Sequence, residues 1–121
     1  MNPEISEAHI STLVDAFYRK ARVDPEIGPI FNVIVDDWPE HLSTLKEFWS
    51  TVLLTTGRYK GDPMMRHLQL RLDPHHFARW LELFAETAHE VFPASTASHV
   101  VAKAHRIARN FQEGYKEVGR L

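Results

Sequence analysis

Residues 62–74 read DPMMRHLQLRLDP, and the fold turns on how that stretch is punctuated. Each Asp-Pro pair joins a good helix N-cap to a residue suited to the first helical position, which predicts one helix starting at Pro63 and another at Pro74. The second start limits the first helix to about two turns, residues 63 to about 69, and a helix that short needs tertiary support. Between the two starts stands a lone histidine, His67, among Met64, Met65, Leu68 and Leu70. A histidine in such company is either a core residue with satisfied nitrogens or a ligand for something that an apolar pocket holds.

The same punctuation recurs at Asp24-Pro25, predicting a short helix from 25 to about 31. Ser6 can cap an earlier helix, Asp36 or Asp37 one that runs to Gly57, and Ser95 a last one following Pro93. Helical periodicity fills the intervals. Ile10, Leu13, Val14, Phe17, Tyr18 and Ala21 share one face. Trp38, Leu42, Leu45 and Trp49 share a second, interleaved with His41, Phe48 and Val52. Phe77, Trp80, Leu81, Phe84, Ala88 and Val91 form a third stripe, and Val100, Ala104, Ile107, Phe111, Tyr115 and Val118 a fourth. The stretch FNVIV (31–35) has strand-like residues and no second strand to pair with, so it is expected to form an irregular apolar corner. Four long amphipathic helices, two short ones and short connections make an all-α chain.

At 121 residues the chain is long enough for one core and too short for two, so residues 1–121 are expected to form a single domain. Acids and bases are mixed and the net charge is −2, which leaves no basic stripe for a phosphate backbone and excludes nucleic acid as the expected partner. There is no cysteine, so disulfides, thiolate nucleophiles and Cys-ligated metals are ruled out, in keeping with a reducing compartment. The N-terminal MNPEISEAH carries acid where a signal peptide needs base, and no window approaches a membrane span. A cytoplasmic protein without membrane contact is expected.

Three of the stripes carry a side chain with an apolar body and a polar tip: Tyr18, His41 and Trp80. Taken singly each is an ordinary core or surface residue. Together with His67 they describe an apolar chamber with one nitrogen ligand and a few donors. Zinc is disfavoured, because no HExxH and no His-x-x-x-His occurs. A di-iron carboxylate bundle needs two Glu-x-x-His pairs; Glu86-x-x-His89 is the single instance, off the apolar stripe and expected on a solvated face. His75-His76, just after Asp73-Pro74, reads as capping-region surface, and His9, His99 and His105 have no evident partner. Haem alters the requirement: the porphyrin brings four nitrogens, so the protein supplies one axial ligand, an apolar slot and control of the sixth position. His67 suits the proximal role, Phe31, Leu45, Phe48 and Met64 the slot walls, and Tyr18, His41 and Trp80 the distal side. The competing reading is a cofactor-free helical interaction domain in which these residues are plain core.

The stretches FYRKARVDPEIGPIF (17–31), WPEHLSTLKEFW (38–49), RYKGDPMMRHLQL (58–70) and ARWLELF (78–84), in that order and spacing, resemble the truncated haemoglobins, specifically the third group of that bacterial family. The adjacent glycine pairs of the first two groups are missing. The resemblance spans nearly the whole chain and implies a globin-like two-over-two helical sandwich around protohaem IX (haem b), with the usual first helix almost absent. It implies that Tyr18 is the B-helix tyrosine, Phe31 the phenylalanine wedged against the haem, His41 the distal residue of the E helix, His67 the proximal histidine and Trp80 the G-helix tryptophan. Tyr59 and Arg66 match positions that reach haem propionates, a task for which Arg58, Lys60 and Arg71 would also serve. The implied function is binding of O2 and other small ligands (NO, CO or peroxide) at a five-coordinate iron and, with an electron-donor reductase, peroxidase-like or NO-detoxifying chemistry. His41 has two options, swinging out as a gate or inward as a donor.

Overall fold

The computed structural model describes residues 5–61 and 72–117, and all the secondary structure among them is helical. The expected short helix at 63–69, with Met64, Arg66 and His67, lies outside the described residues.

Helix α1 (Glu7–Ala21) is capped by Ser6, whose hydroxyl accepts from the His9 amide at 3.2 Å while His9 Nδ1 accepts from the Ser6 amide at 3.2 Å. This is a capping box with an imidazole in the glutamate's place, and it gives His9 a partner that the sequence did not reveal. All six residues of the first stripe are buried. Helix α3 (Trp38–Leu54) takes Asp37 as its cap, with Oδ1 accepting from the Glu40 amide at 3.1 Å. It stops at Leu54 and not at Gly57, because Thr55 turns into the left-handed region at φ 54° and Gly57 follows at φ 72°. Helix α4 (Pro74–Val91) starts at the predicted Asp-Pro, where the Asp73 amide donates to His76 Nδ1 at 2.9 Å. Helix α5 (Ala94–Glu117) begins one residue before Ser95, which is an exposed first-turn residue and not the cap.

Two expectations near residue 30 are corrected. Asp24 does not open a helix at Pro25: its Oδ2 caps a turn, accepting from the amides of Glu26 (3.0 Å) and Ile27 (3.1 Å). The short helix α2 (Gly28–Ile34) follows and absorbs most of FNVIV, with the Val35 amide closing on the Phe31 carbonyl at 2.9 Å. β-Branched residues favour strands only where a strand can pair; here helical bonds are the available way to satisfy the backbone. Gly28 permits the close turn, since a Cβ there would stand 2.7 Å from the Arg22 carbonyl oxygen.

Helix α1 packs on α3 and α4, α4 packs on α5, and α3 also meets α5, which closes a two-over-two sandwich. The main core runs through Leu13, Phe17, Trp49, Phe84 and Val100. A smaller cluster of Phe77, Ala108 and Tyr115 joins the far ends of α4 and α5. The α1–α2 turn is tied to α4 by Asp24, whose Oδ1 receives both Nε and a terminal nitrogen of Arg79 at 2.8 Å. Burial alone would raise the Asp24 pKa, but the guanidinium and the two amides outweigh it and hold the carboxyl below its ordinary value. Among the described residues no helix is long and apolar enough to cross a membrane.

Candidate functional site

Between α2, α3, α4 and α5 lies a cavity of about 510 Å³, a size within the roughly 300–1,000 Å³ of cofactor and ligand sites. Its body is apolar, with Leu45, Phe48, Phe77, Ile107 and Phe111 among its walls. Of the described residues singled out from the sequence, Tyr18, Phe31, His41, Leu45, Phe48, Tyr59 and Trp80 line it, while Arg58 and Lys60 do not. Phe31, Leu45, Phe48 and Trp80 are only half-buried, so apolar surface faces this space where a packed core would have covered it.

The polar end is built on three helices. Tyr18, 5% exposed, comes from α1; the Trp80 indole N–H donates to its hydroxyl oxygen. That bond uses an oxygen lone pair and not the hydroxyl proton. Burial raises the phenol's pKa far above its ordinary value, and the indole bond offsets only part of the rise. Tyr18 therefore remains a neutral O–H donor throughout the physiological range. The sequence suggested Tyr18 and Trp80 as two separate donors; the structure couples them. His41 is half-buried on the first turns of α3 and faces the cavity. Its ring lies 6.3 Å from that of Tyr18, edge to face, and Phe31 meets Tyr18 at 5.7 Å.

Tyr59 reaches the opposite rim through a loop that the polar network around Ser50 holds down. The fully buried Ser50 hydroxyl donates to Glu7 Oε2 at 2.8 Å and bonds Thr56 Oγ1 at 2.8 Å. Arg58 sits 3.5 Å from the same Glu7 oxygen, and the Tyr59 amide donates to Thr51 Oγ1 at 3.0 Å. The Tyr59 ring packs edge-on against Phe48 at 5.4 Å, and Gly61 leaves room for its hydroxyl, which a Cβ there would meet at 2.5 Å.

Several wall residues escaped the sequence reading. Ile107 and Phe111 were visible as an i, i+4 pair on the fourth stripe, but nothing local said which neighbour they face. His76 looked like capping-region surface; it both caps α4 and lines the cavity. Asp73, His75 and His76 place their ligand atoms within 4.8 Å of one another. A cation there would sit at the positive end of the α4 dipole, and His76 Nδ1 is already occupied by the Asp73 amide. Glu86 and His89 are solvated as expected, Glu86 pairing with Lys20 at 2.7 Å.

The donor set fits haem. An apolar slot, a polar end with a neutral phenol and an indole, and a far rim carrying Tyr59 suit a flat macrocycle with an open iron face. Tyr59 and Leu72, near the two ends of the undescribed segment that contains His67, both line the cavity.

Comparison with known proteins points the same way. The bacterial-like globin family matches residues 5–113. A group 3 truncated haemoglobin (ctb) of Campylobacter jejuni subsp. jejuni is 35% identical over 113 residues, 89% of each chain. The crystal structure of the group III truncated haemoglobin from Campylobacter jejuni superposes with a TM-score of 0.85 at 35% identity, covering 92% of this chain and 91% of that one.

Proposed function

The chain belongs to the bacterial-like globin family and, within it, to the third group of truncated haemoglobins, and on that premise we propose that residues 1–121 form a single domain whose cavity holds protohaem IX (haem b) through His67. Haem-based binding of small diatomic ligands such as O2 is the general property of the family. The observation that carries the reading is the half-buried ring of Phe31, Leu45, Phe48 and Trp80 around a cavity with Tyr18 at its polar end. Family and cavity together favour this over a cofactor-free interaction domain.

When bound, the haem supplies an iron with an open coordination position for O2, NO, CO or peroxide. The chain does the rest. Tyr18 donates its hydroxyl proton to a ligand that draws negative charge, while the Trp80 N–H fixes the phenol's oxygen. His41 offers a second ring nitrogen on the same side. Leu45, Phe48, Phe77 and Ile107 exclude water, and a drier site strengthens each polar contact. Met64 completes the slot, and Tyr59 and Arg66, with Arg58, Lys60 and Arg71 as further cations, hold the carboxylates. So donor-rich a site suits tight retention and activation of an O–O bond better than oxygen transport. Peroxidase-like or NO-detoxifying turnover, with electrons from a separate reductase, is its proposed use. The lack of cysteine supports a cytoplasmic setting.

A hydrogen bond to a charged acceptor is worth roughly 1.5–3 kcal/mol, and each 1.4 kcal/mol is about tenfold in an equilibrium constant. Tyr18→Phe is therefore expected to speed O2 release by about tenfold or more in stopped-flow measurements on the ferrous protein. Release no faster than wild type removes Tyr18 from the ligand's surroundings.

A further inference from the structure

The bond between Trp80 and Tyr18 joins two helices, so it depends on how α4 stands against α1. Ring packing alone does not settle that placement. Trp80 lies nearly parallel to Phe84 (5.2 Å, 14°) and to Trp49 (6.5 Å, 16°), which fixes the plane of the indole. Offset-stacked rings are favourable over centroid separations of roughly 4.5–7 Å, so the position within that plane stays soft. Phe17 of α1 meets the same indole edge-on at 5.5 Å, a contact equally tolerant of small shifts. A hydrogen bond is less forgiving, because it weakens steeply as its angle falls toward about 120°.

One carboxylate ties together the three segments that carry these groups. Asp24 is buried just beyond the last turn of α1, with its amide on the Ala21 carbonyl at 3.2 Å. Its Oδ1 receives two nitrogens of Arg79, the residue before Trp80, both at 2.8 Å. The remaining terminal nitrogen of Arg79 donates to Glu82 at 3.3 Å, so the guanidinium is held from both sides. Through Oδ2 Asp24 accepts from the amide of Ile27, a cavity wall whose carbonyl in turn accepts from the Phe31 amide at 3.3 Å. The Phe31 ring closes the circuit against Tyr18.

The geometry points to Asp24 as a positioning residue of the site, one that sets α4 against α1 through Arg79 and so keeps the Trp80 N–H on the Tyr18 oxygen. Two charge-assisted bonds on one buried oxygen leave little freedom along either helix. The inference rests on the haem reading for its effect on a bound ligand, and on the arrangement of the chain alone for its cause.

Two readouts separate these. The first needs no haem: proton NMR of the indole N–H groups in the haem-free protein. In Asp24→Asn the Trp80 indole proton should move upfield as its bond weakens, while that of Trp49 keeps its position. The second is O2 release from the ferrous haem protein. The net worth of an ordinary hydrogen bond corresponds to about two- to tenfold in an equilibrium constant, so Asp24→Asn should speed release by about that factor. In a Tyr18→Phe background it should add nothing, because the indole acts on the ligand through the phenol. Arg79→Lys keeps the charge but not the pair of donors; it should give the same changes at smaller size, and it carries the test if Asp24→Asn folds poorly. Val100→Ala, which weakens the core away from this carboxylate, should give neither change. A Trp80 signal that stays in place in the Asp24 and Arg79 variants overturns the proposal, as does an acceleration that persists without the Tyr18 hydroxyl or that Val100→Ala reproduces. If wild type takes up no haem, the reading of the cavity falls, and the indole signals alone still decide the role of Asp24.

Discussion

Two faces of α3 are made from the same kinds of residue and meet different fates. On one, Trp49 and Leu53 are 2% and 6% exposed, packed into the core, with Trp49 stacked on Phe84 at 4.9 Å while it also borders the cavity. On the other, Leu45 and Phe48 are half-buried around an open volume. Interiors pack to the density of organic crystals, so apolar walls that stop short of one another imply that the last layer comes from elsewhere. The first face is where the chain stabilises itself. The second lines the cavity proposed to hold the haem, and Trp49 borders both.

That contrast can be broken by truncating a ring on each face. Phe84→Ala, in the packed core, should cost about 3–5 kcal/mol of unfolding free energy by urea denaturation of the haem-free chain. Phe48→Ala should cost far less in the same assay and weaken hemin binding instead. Equal destabilisation by the two would make the cavity ordinary core. The Asp24–Arg79 pair, which joins the α1–α2 turn to α4 one residue from Trp80, comes next. Asp24→Asn should cost about 2 kcal/mol at pH 7, the order expected of hydrogen bonds to a charged group. Because the folded-state pKa of Asp24 is depressed, its contribution is present above the unfolded value near 4 and fades as pH falls through the lower folded value. The gap between wild type and variant should therefore narrow between pH 5 and pH 3, and a gap independent of pH would contradict the assignment. The smallest effect is expected at Ser50, where the Ser50→Ala change removes one link of the Glu7–Thr56 network. A loss of about 1 kcal/mol should come with faster hemin loss from the Tyr59 rim, and unchanged hemin loss would detach that network from the cavity.

Both regions were largely legible in the sequence, and the reason is periodicity. Tyr18, His41 and Trp80 sit on helical faces whose spacing announces which way they point, and all three line the cavity. Asp37, Ser6 and Asp73 declare helix starts through chemistry that is local. What failed was either a local signal with two meanings or a partner far away in sequence. FNVIV looks irregular until its lack of a pairing strand makes it helical. Asp24 caps a turn and not a helix, because Arg79, 55 residues on, claims its other oxygen. The His75-His76 doublet hides that only His76 reaches the cavity.

The most direct test is a titration of the haem-free protein with hemin, followed at the Soret band and by quenching of Trp49 and Trp80 fluorescence, in wild type and His67→Ala. The expected result is saturation at one hemin per chain in wild type, with loss of stable binding in His67→Ala. A colourless protein that ignores hemin, or a variant whose Soret spectrum and affinity match wild type, would contradict the assignment of the cavity or of its iron ligand respectively.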